Sequence, residues 1–218
     1  MFADFLEQLQ RPDWSAAVYR HIELSALAVV VGILISIPLA VAVSRSPRIA
    51  LATINFTNLG RGIPDIALLA FFLIFLGIGF WTAEVALILL SIPPILINTV
   101  TGLNQVDERV IDSARGMGLS GRQILTGVRL PLAAPIIFAG IRTSAVQVVA
   151  GATLATFVGG GGLGNFIVEG FAGFNYATMF AGAIPVAILA IMTELLFGGL
   201  ERISTPKGLR IAKKKGRQ

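Results

Sequence analysis

Apolar runs separated by short polar punctuation make up most of the chain, and a run of about 20 mostly apolar residues is enough to cross a bilayer as a helix. Four runs reach that length without stacked charges: 24–43, 85–103, 132–157 and 177–200. A further segment, 49–80, is interrupted at Gly60-Arg61-Gly62-Ile63-Pro64-Asp65, where two glycines and a proline lower helix propensity and remove a backbone donor. Its apolar part after the break, Ile66 to Phe80, is short for crossing alone. One broken or kinked span is therefore expected near 60–65, although two short helices in a hairpin also fit the pattern. The pattern predicts an all-α, polytopic membrane protein with about five transmembrane helices and one long polar loop, 104–131, between the third and the fourth.

Composition agrees. Of the 218 residues 55% are hydrophobic and only 13% are charged, and mean hydropathy is +0.82, against roughly 25% charged in soluble proteins. The 24 glycines suit membrane helices, where Gly is commoner than in soluble ones. No shift in composition divides the chain, so 1–218 reads as a single domain. Without cysteine there are no disulfides, thiolate nucleophiles or Cys-based metal sites, and a single histidine, His21, argues against a His-ligated metal.

Cations fix the expected orientation, since Lys and Arg in short flanking loops stay cytoplasmic. Arg45 and Arg48 follow the first span, Arg109, Arg115, Arg122 and Arg129 lie in the long loop, and Arg202, Lys207, Arg210, Lys213, Lys214, Lys215 and Arg217 follow the last. With five spans all three groups fall on one side, opposite Arg11 and Arg20. The N-terminus is expected outside and the C-terminus in the cytoplasm. Acidic residues Asp4, Glu7 and Asp13 and the lack of a short apolar core argue against a signal peptide. Phe5, Leu6, Leu9, Trp14 and Tyr19 suit an amphipathic stretch at the outer interface. The basic tail reads as an orientation signal beside anionic lipid, not as a nucleic-acid site.

Within the loop, Val106, Val110, Ile111, Ala114, Met117, Ile124, Leu125 and Val128 recur at spacings that include three and four, which predicts one or two short amphipathic helices. Asp107 or Asn104 suits the first cap, Gly116 and Gly118 a sharp turn, and Ser120 a second cap, with Pro131 ending the second helix before the chain re-enters the membrane. Read alone, this is equally an interfacial connector. The spacing Asp112-Ser113-Ala114, three residues, Gly118, nine residues, Val128-Arg129-Leu130-Pro131 resembles the cytoplasmic Glu-Ala-Ala loop of the membrane subunits of binding-protein-dependent ABC importers. The chain looks like the methionine-type five-span permeases of that group. That likeness implies that Asp112, Ser113, Ala114, Arg115, Gly118, Leu119, Val128, Leu130 and Pro131 form the loop that docks on a cytoplasmic ABC ATPase dimer. Asp and Ser depart from the pattern, so Asp112 is not expected to be an essential carboxylate.

Three further stretches, Gly62 to Leu69, Pro93 to Thr99 and Phe157 to Asn165, resemble the osmoprotectant subgroup of the ProW and ProZ type. The resemblance implies a permease for glycine betaine, carnitine, choline or a related osmoprotectant in a bacterial or archaeal cytoplasmic membrane. It also implies an extracytoplasmic binding protein, a second permease copy or paralogue, and ATP with Mg²⁺ held by the partner ATPase and not by this chain. A methionine permease and an ion-coupled secondary transporter are the alternatives, the latter using Glu194 or Asp65.

No His-Glu-x-x-His or Gly-x-Ser-x-Gly is present, so no catalytic residue is expected and the chain reads as a transport subunit. The run Gly159 to Gly164 lacks the Lys-Ser/Thr of a phosphate loop, and a tight turn or close packing at the outer end of the fourth span is expected instead. Arg61, Asp65, Arg142 and Glu194 are the intramembrane polar candidates, because charge in hydrocarbon needs a partner or water. Arg61 and Asp65 share a face only if their turn is helical, whereas Arg142 and Glu194 lie on different spans and are expected to pair. Phenylalanines read as packing, which leaves little aromatic surface for a quaternary ammonium and places selectivity mainly in the binding protein.

Overall fold

A bilayer offers no partners to backbone N–H and C=O groups, and helices satisfy them internally. The computed structural model describes residues 2–204, and its regular elements there are all helical. They are α1 (Phe2–Leu9), α2 (Trp14–Val43), α3 (Pro47–Gly60), α4 (Asp65–Leu76), α5 (Phe80–Asn104), α6 (Glu108–Gly116), α7 (Gly121–Ile124), α8 (Leu130–Gly151), α9 (Gly164–Ala172) and α10 (Tyr176–Ser204). Four helical runs are long and apolar enough to span: α2, α5, the run containing α8, and α10. A fifth exists if α3 and α4 count as one, and these are bent by 88° at the break. The basic tail from Lys207 onward lies outside the described residues.

The apolar runs understate helix length. α2 begins at Trp14 and not near Leu24, because its first turns carry Tyr19, Arg20 and Glu23 and still hydrogen-bond as helix above the apolar stretch. Trp14 is tied down there by its indole N–H, which donates to the Ala181 carbonyl at 3.0 Å. A larger departure concerns Pro131. It does not end a loop helix: α7 runs on through a π-helical turn, Leu125–Arg129, into α8 and then a 3-10 stretch, Ala152–Val158, as one helical run of 38 residues. Pro131 occupies the first turn of α8, where the widened turn before it accommodates the missing N–H.

α5 is the hub, packed along its length between α2 and α8, with α4 and α3 against its flanks and α10 closing on α8. The main core draws Leu24 and Ala28 from α2, Ala83, Ala86 and Leu87 from α5, and Ala145 and Val148 from α8. Ile95, Leu103 and Ile137 continue it toward the loop end. Alanines and glycines at these contacts let backbones approach. A Cβ on Gly140 would stand 2.8 Å from the Pro94 carbonyl, and Gly32 faces the Ser91 side chain. Serines bridge the remaining gaps. Ser144 donates to the Ser91 carbonyl at 2.8 Å, and Ser36 to that of Ile92 at 3.3 Å. Such bonds contribute on average about 0.6 kcal/mol each in membrane bundles.

The glycine run is the tight turn that its composition suggested. Gly159, Gly161 and Gly162 have φ of 75°, 81° and 93°, and a Cβ on Gly160 would approach that of Ala83 to 2.6 Å. Gly79 N–H donates to the Val158 carbonyl at 2.8 Å, pinning the turn to the start of α5. At Gly164 a Cβ would collide with the Thr153 backbone carbonyl, which cannot rotate away. Gly164→Ala is therefore expected to destabilise the protein by about 1–3 kcal/mol through overpacking. Gly116→Ala, which meets nothing within 4 Å, serves as the control. Thermal unfolding in detergent checks this, and equal melting of the two variants would refute the packing account.

Candidate functional site

The polar loop folds by its caps. Asp107 accepts from the Arg109 backbone N–H at 2.9 Å to start α6, and its carboxylate also pairs with the Arg109 guanidinium at 2.7 Å. The bond from the Arg109 side chain, then the one from its backbone, hold the Asp107 carboxyl below the usual range. The cap is thus intact above the ordinary carboxylate range and is lost only as pH falls through the lowered value. α6 ends where Gly118 takes φ 83°, a conformation open to glycine, and donates its N–H to the Arg115 carbonyl at 2.9 Å. Ser120 and Gln123 then form a reciprocal capping box that opens α7. Both caps and the turn fall where the sequence put them.

Of the three residues at the Glu-Ala-Ala places only Ala114 is buried, and it anchors α6 to the body of the protein. Asp112 and Ser113 face outward, with Asp112 paired to Arg115 at 3.0 Å. Val110 and Met117, expected on the apolar side, also stand exposed. Leu119, Val128 and Leu130 are half-buried, while Gly118 and Pro131 are exposed. Arg129 returns the chain to the bundle by donating to the Leu103 carbonyl at 3.0 Å. A groove opens between this loop and the ends of α2, α3 and α5, edged by Arg45, Arg115, Arg122 and Arg129 with Glu108 and Asp112.

The intramembrane charges divide. Arg142 of α8 meets Glu194 of α10, as expected, and also reaches Glu201 at 3.2 Å. Gly198 lies between the two carboxylates, and its bare backbone leaves room for the guanidinium. Glu201 was legible as the residue seven positions after Glu194, on the same helical face, yet it falls just beyond the apolar run. The three side chains remain 30–43% exposed, so this face of α8 and α10 is polar along part of a span. Arg61 and Asp65 form no ion pair with each other among the described residues: Arg61 caps the end of α3, Asp65 opens α4, and the turn between them is not helical.

Two buried groups escaped the sequence reading. His21 is fully buried, its Nε2 2.9 Å from the Val149 carbonyl and its Nδ1 without a partner. Glu84 is fully buried and neither carboxylate oxygen has a hydrogen-bond partner. Starting the third span at Val85 made Glu84 look like a flank, whereas α5 begins one turn earlier, at Phe80.

Comparison with known proteins gives this arrangement a context. Residues 28–205 match the family described as binding-protein-dependent transport system inner membrane component. The chain is 44% identical over 190 residues, 87% of its length and 88% of the relative's, to the glycine betaine/carnitine/choline transport system permease protein OpuCB of Bacillus subtilis. It is 41% identical to the carnitine transport permease protein OpuCB of Listeria monocytogenes, with 91% of each chain covered. It is also 36% identical to the osmoprotectant import permease protein OsmW of Salmonella typhimurium, covering 90% of this chain and 94% of that one. In fold it is similar to an inward-facing structure of the MetNI methionine ABC transporter, with a TM-score of 0.79 and 24% identity over 88% of this chain and 96% of that one.

The Arg142 pairing makes a definite demand. Arg142→Glu and Glu194→Arg, each alone, place like charges together in a span and are expected to lower both folded yield and transport. The double swap restores an Arg between two carboxylates, now at 142 and 201, and should recover most of each. Measuring both in membranes decides it: a double variant no better than the singles rules the pairing out as a structural contact.

Proposed function

The chain belongs to the family of binding-protein-dependent transport system inner membrane components, and from that premise we propose that it moves glycine betaine, carnitine, choline or a related osmoprotectant inward across the cytoplasmic membrane of a bacterium or archaeon. The carrying observation is the 44% identity to a glycine betaine/carnitine/choline permease across nearly the full length of both chains. The relatives' names favour this class over methionine, and the fold likeness to a methionine transporter concerns architecture alone.

In this reading ATP and Mg²⁺ are bound by a separate ATPase dimer, and α6 is the element that dimer grips. The exposed face of α6, with Val110, Asp112, Ser113, Arg115 and Met117, supports the assignment, because apolar and charged groups side by side suit a protein partner. Ala114 and the Arg129 bond supply the rigid attachment through which a push on α6 reaches the spans. The distribution of cations supports an outside N-terminus and a cytoplasmic C-terminus. A second permease, identical or paralogous, completes the pathway, and an extracytoplasmic binding protein delivers the substrate.

Reconstitution with the partner ATPase and binding protein tests the proposal. ATP-driven uptake of labelled glycine betaine into proteoliposomes is expected to resist excess methionine and to be abolished by Gly118→Asp, which strains a φ of 83° at the end of α6. Uptake that ignores ATP and follows a proton gradient would overturn the importer reading.

A further inference from the structure

The outer end of the bundle holds a carboxylate with no counter-ion. Glu84 lies one turn into α5, fully buried, and both of its oxygens lack partners. The interhelical contacts give its level. Arg20 of α2 stacks its guanidinium over the Phe80 ring at 5.0 Å, and lower down Ser91 of α5 reaches the Ala28 carbonyl of α2 at 3.1 Å. Glu84, four residues after Phe80 and on the same helical face, therefore lies level with Arg20, His21 and Glu23. Arg20 is engaged elsewhere, by Glu23 at 2.8 Å. His21 gives its Nε2 to the Val149 carbonyl, which leaves the group of Arg20, Glu23 and Glu84 one negative charge in excess when ionised.

Burying a carboxylate without a partner is costly, so an ion in a span usually marks a pathway or a partner in another state. Here the other components of a cation site stand beside it. Phe80 presents a ring face already covered by a cation, and Trp81, edge-on to Phe80 at 5.2 Å, is two-thirds exposed at the mouth of α5. A carboxylate with aromatic faces is the chemistry that holds a quaternary ammonium. The glycine turn seals the group from outside: Gly160 packs on Ala83 and Gly162 on His21. Moving that turn is enough to uncover the acid.

We propose that Glu84, Phe80 and Trp81 form a transit site for the trimethylammonium group of the substrate, closed in the arrangement described here and filled when the outer ends of α2 and α5 part. Arg20 is the internal stand-in, resting on Phe80 until the substrate cation displaces it. The inference rests on the osmoprotectant reading, and it corrects the expectation that the aromatics of this chain serve packing alone.

Equilibrium binding of labelled choline to the purified permease–ATPase complex, trapped with ATP and vanadate and without the binding protein, tests the site. Glu84→Gln is expected to weaken binding at least about tenfold, and Phe80→Leu by about 2- to 30-fold for one lost cation–π contact. Arg20→Gln should tighten it, an outcome that a merely structural role does not produce, and Phe171→Leu, on the exposed end of α9, should leave it unchanged. Uncharged 3,3-dimethylbutanol, which has the shape of choline without its charge, should compete poorly. Wild-type affinity in both Glu84→Gln and Phe80→Leu, equal competition by the uncharged alcohol, or no choline binding by the wild type would overturn the site. Parallel ATP-driven uptake by the wild type separates this from failure of the functional reading: uptake with no effect of the variants sinks the transit site alone, and no uptake sinks both.

Discussion

Helices in hydrocarbon gain little from hiding apolar side chains from one another, because the lipid tails are equally apolar. The bundle depends instead on how closely backbones can approach α5. Gly32, Gly140 and Gly160 each occupy a point where a side chain would strike a neighbouring helix or the first turn of α5. Short serines fill the same gaps with hydrogen bonds that lipid could not supply. That constraint explains why the core is rich in alanine and why the large residues, such as Phe56, Ile74 and Leu195, point outward.

Once the backbones are that close, any polar side chain between them must be answered by another. The serines meet carbonyls, and Arg142 meets two glutamates. Glu84 is the exception that the geometry leaves unanswered. The contrast between these sites separates charge that holds the bundle together from charge held available. Arg142 and its partners sit on the half-exposed flank of α8 and α10, where a missing partner can be replaced by water. Glu84 sits where only a change in helix packing admits anything.

Much of this was legible in the sequence. Five apolar segments, the break at 60–65, both loop caps and the glycine turn were readable because each rests on local chemistry: helix length, proline and glycine, a side chain three residues from its N–H partner. The cross-span pair of Arg142 and Glu194 was readable as two charges that hydrocarbon cannot leave alone. What escaped depended on where elements end in space. Glu84 was missed because the helix starts at Phe80, above the apolar run, and Pro131 was taken as a stop because a π turn that tolerates it has no sequence signal. The outward-facing Val110 and Met117 defeat periodicity for the same reason, since pattern alone does not distinguish a face that meets the bundle from one that meets another protein.

The unbroken passage from α7 through α8 to Val158 has a mechanical consequence. Its 38 residues span roughly 57 Å at the rise of a regular helix, so it is a lever longer than the bilayer core is thick. A tilt of about 5° at its loop end displaces its far end by about 5 Å, on that same helical length. The far end carries the glycine turn, whose contacts with the first turns of α2 and α5 are only van der Waals seals. A small angular input on one side of the membrane is thereby geared into a displacement about the width of a helix turn on the other.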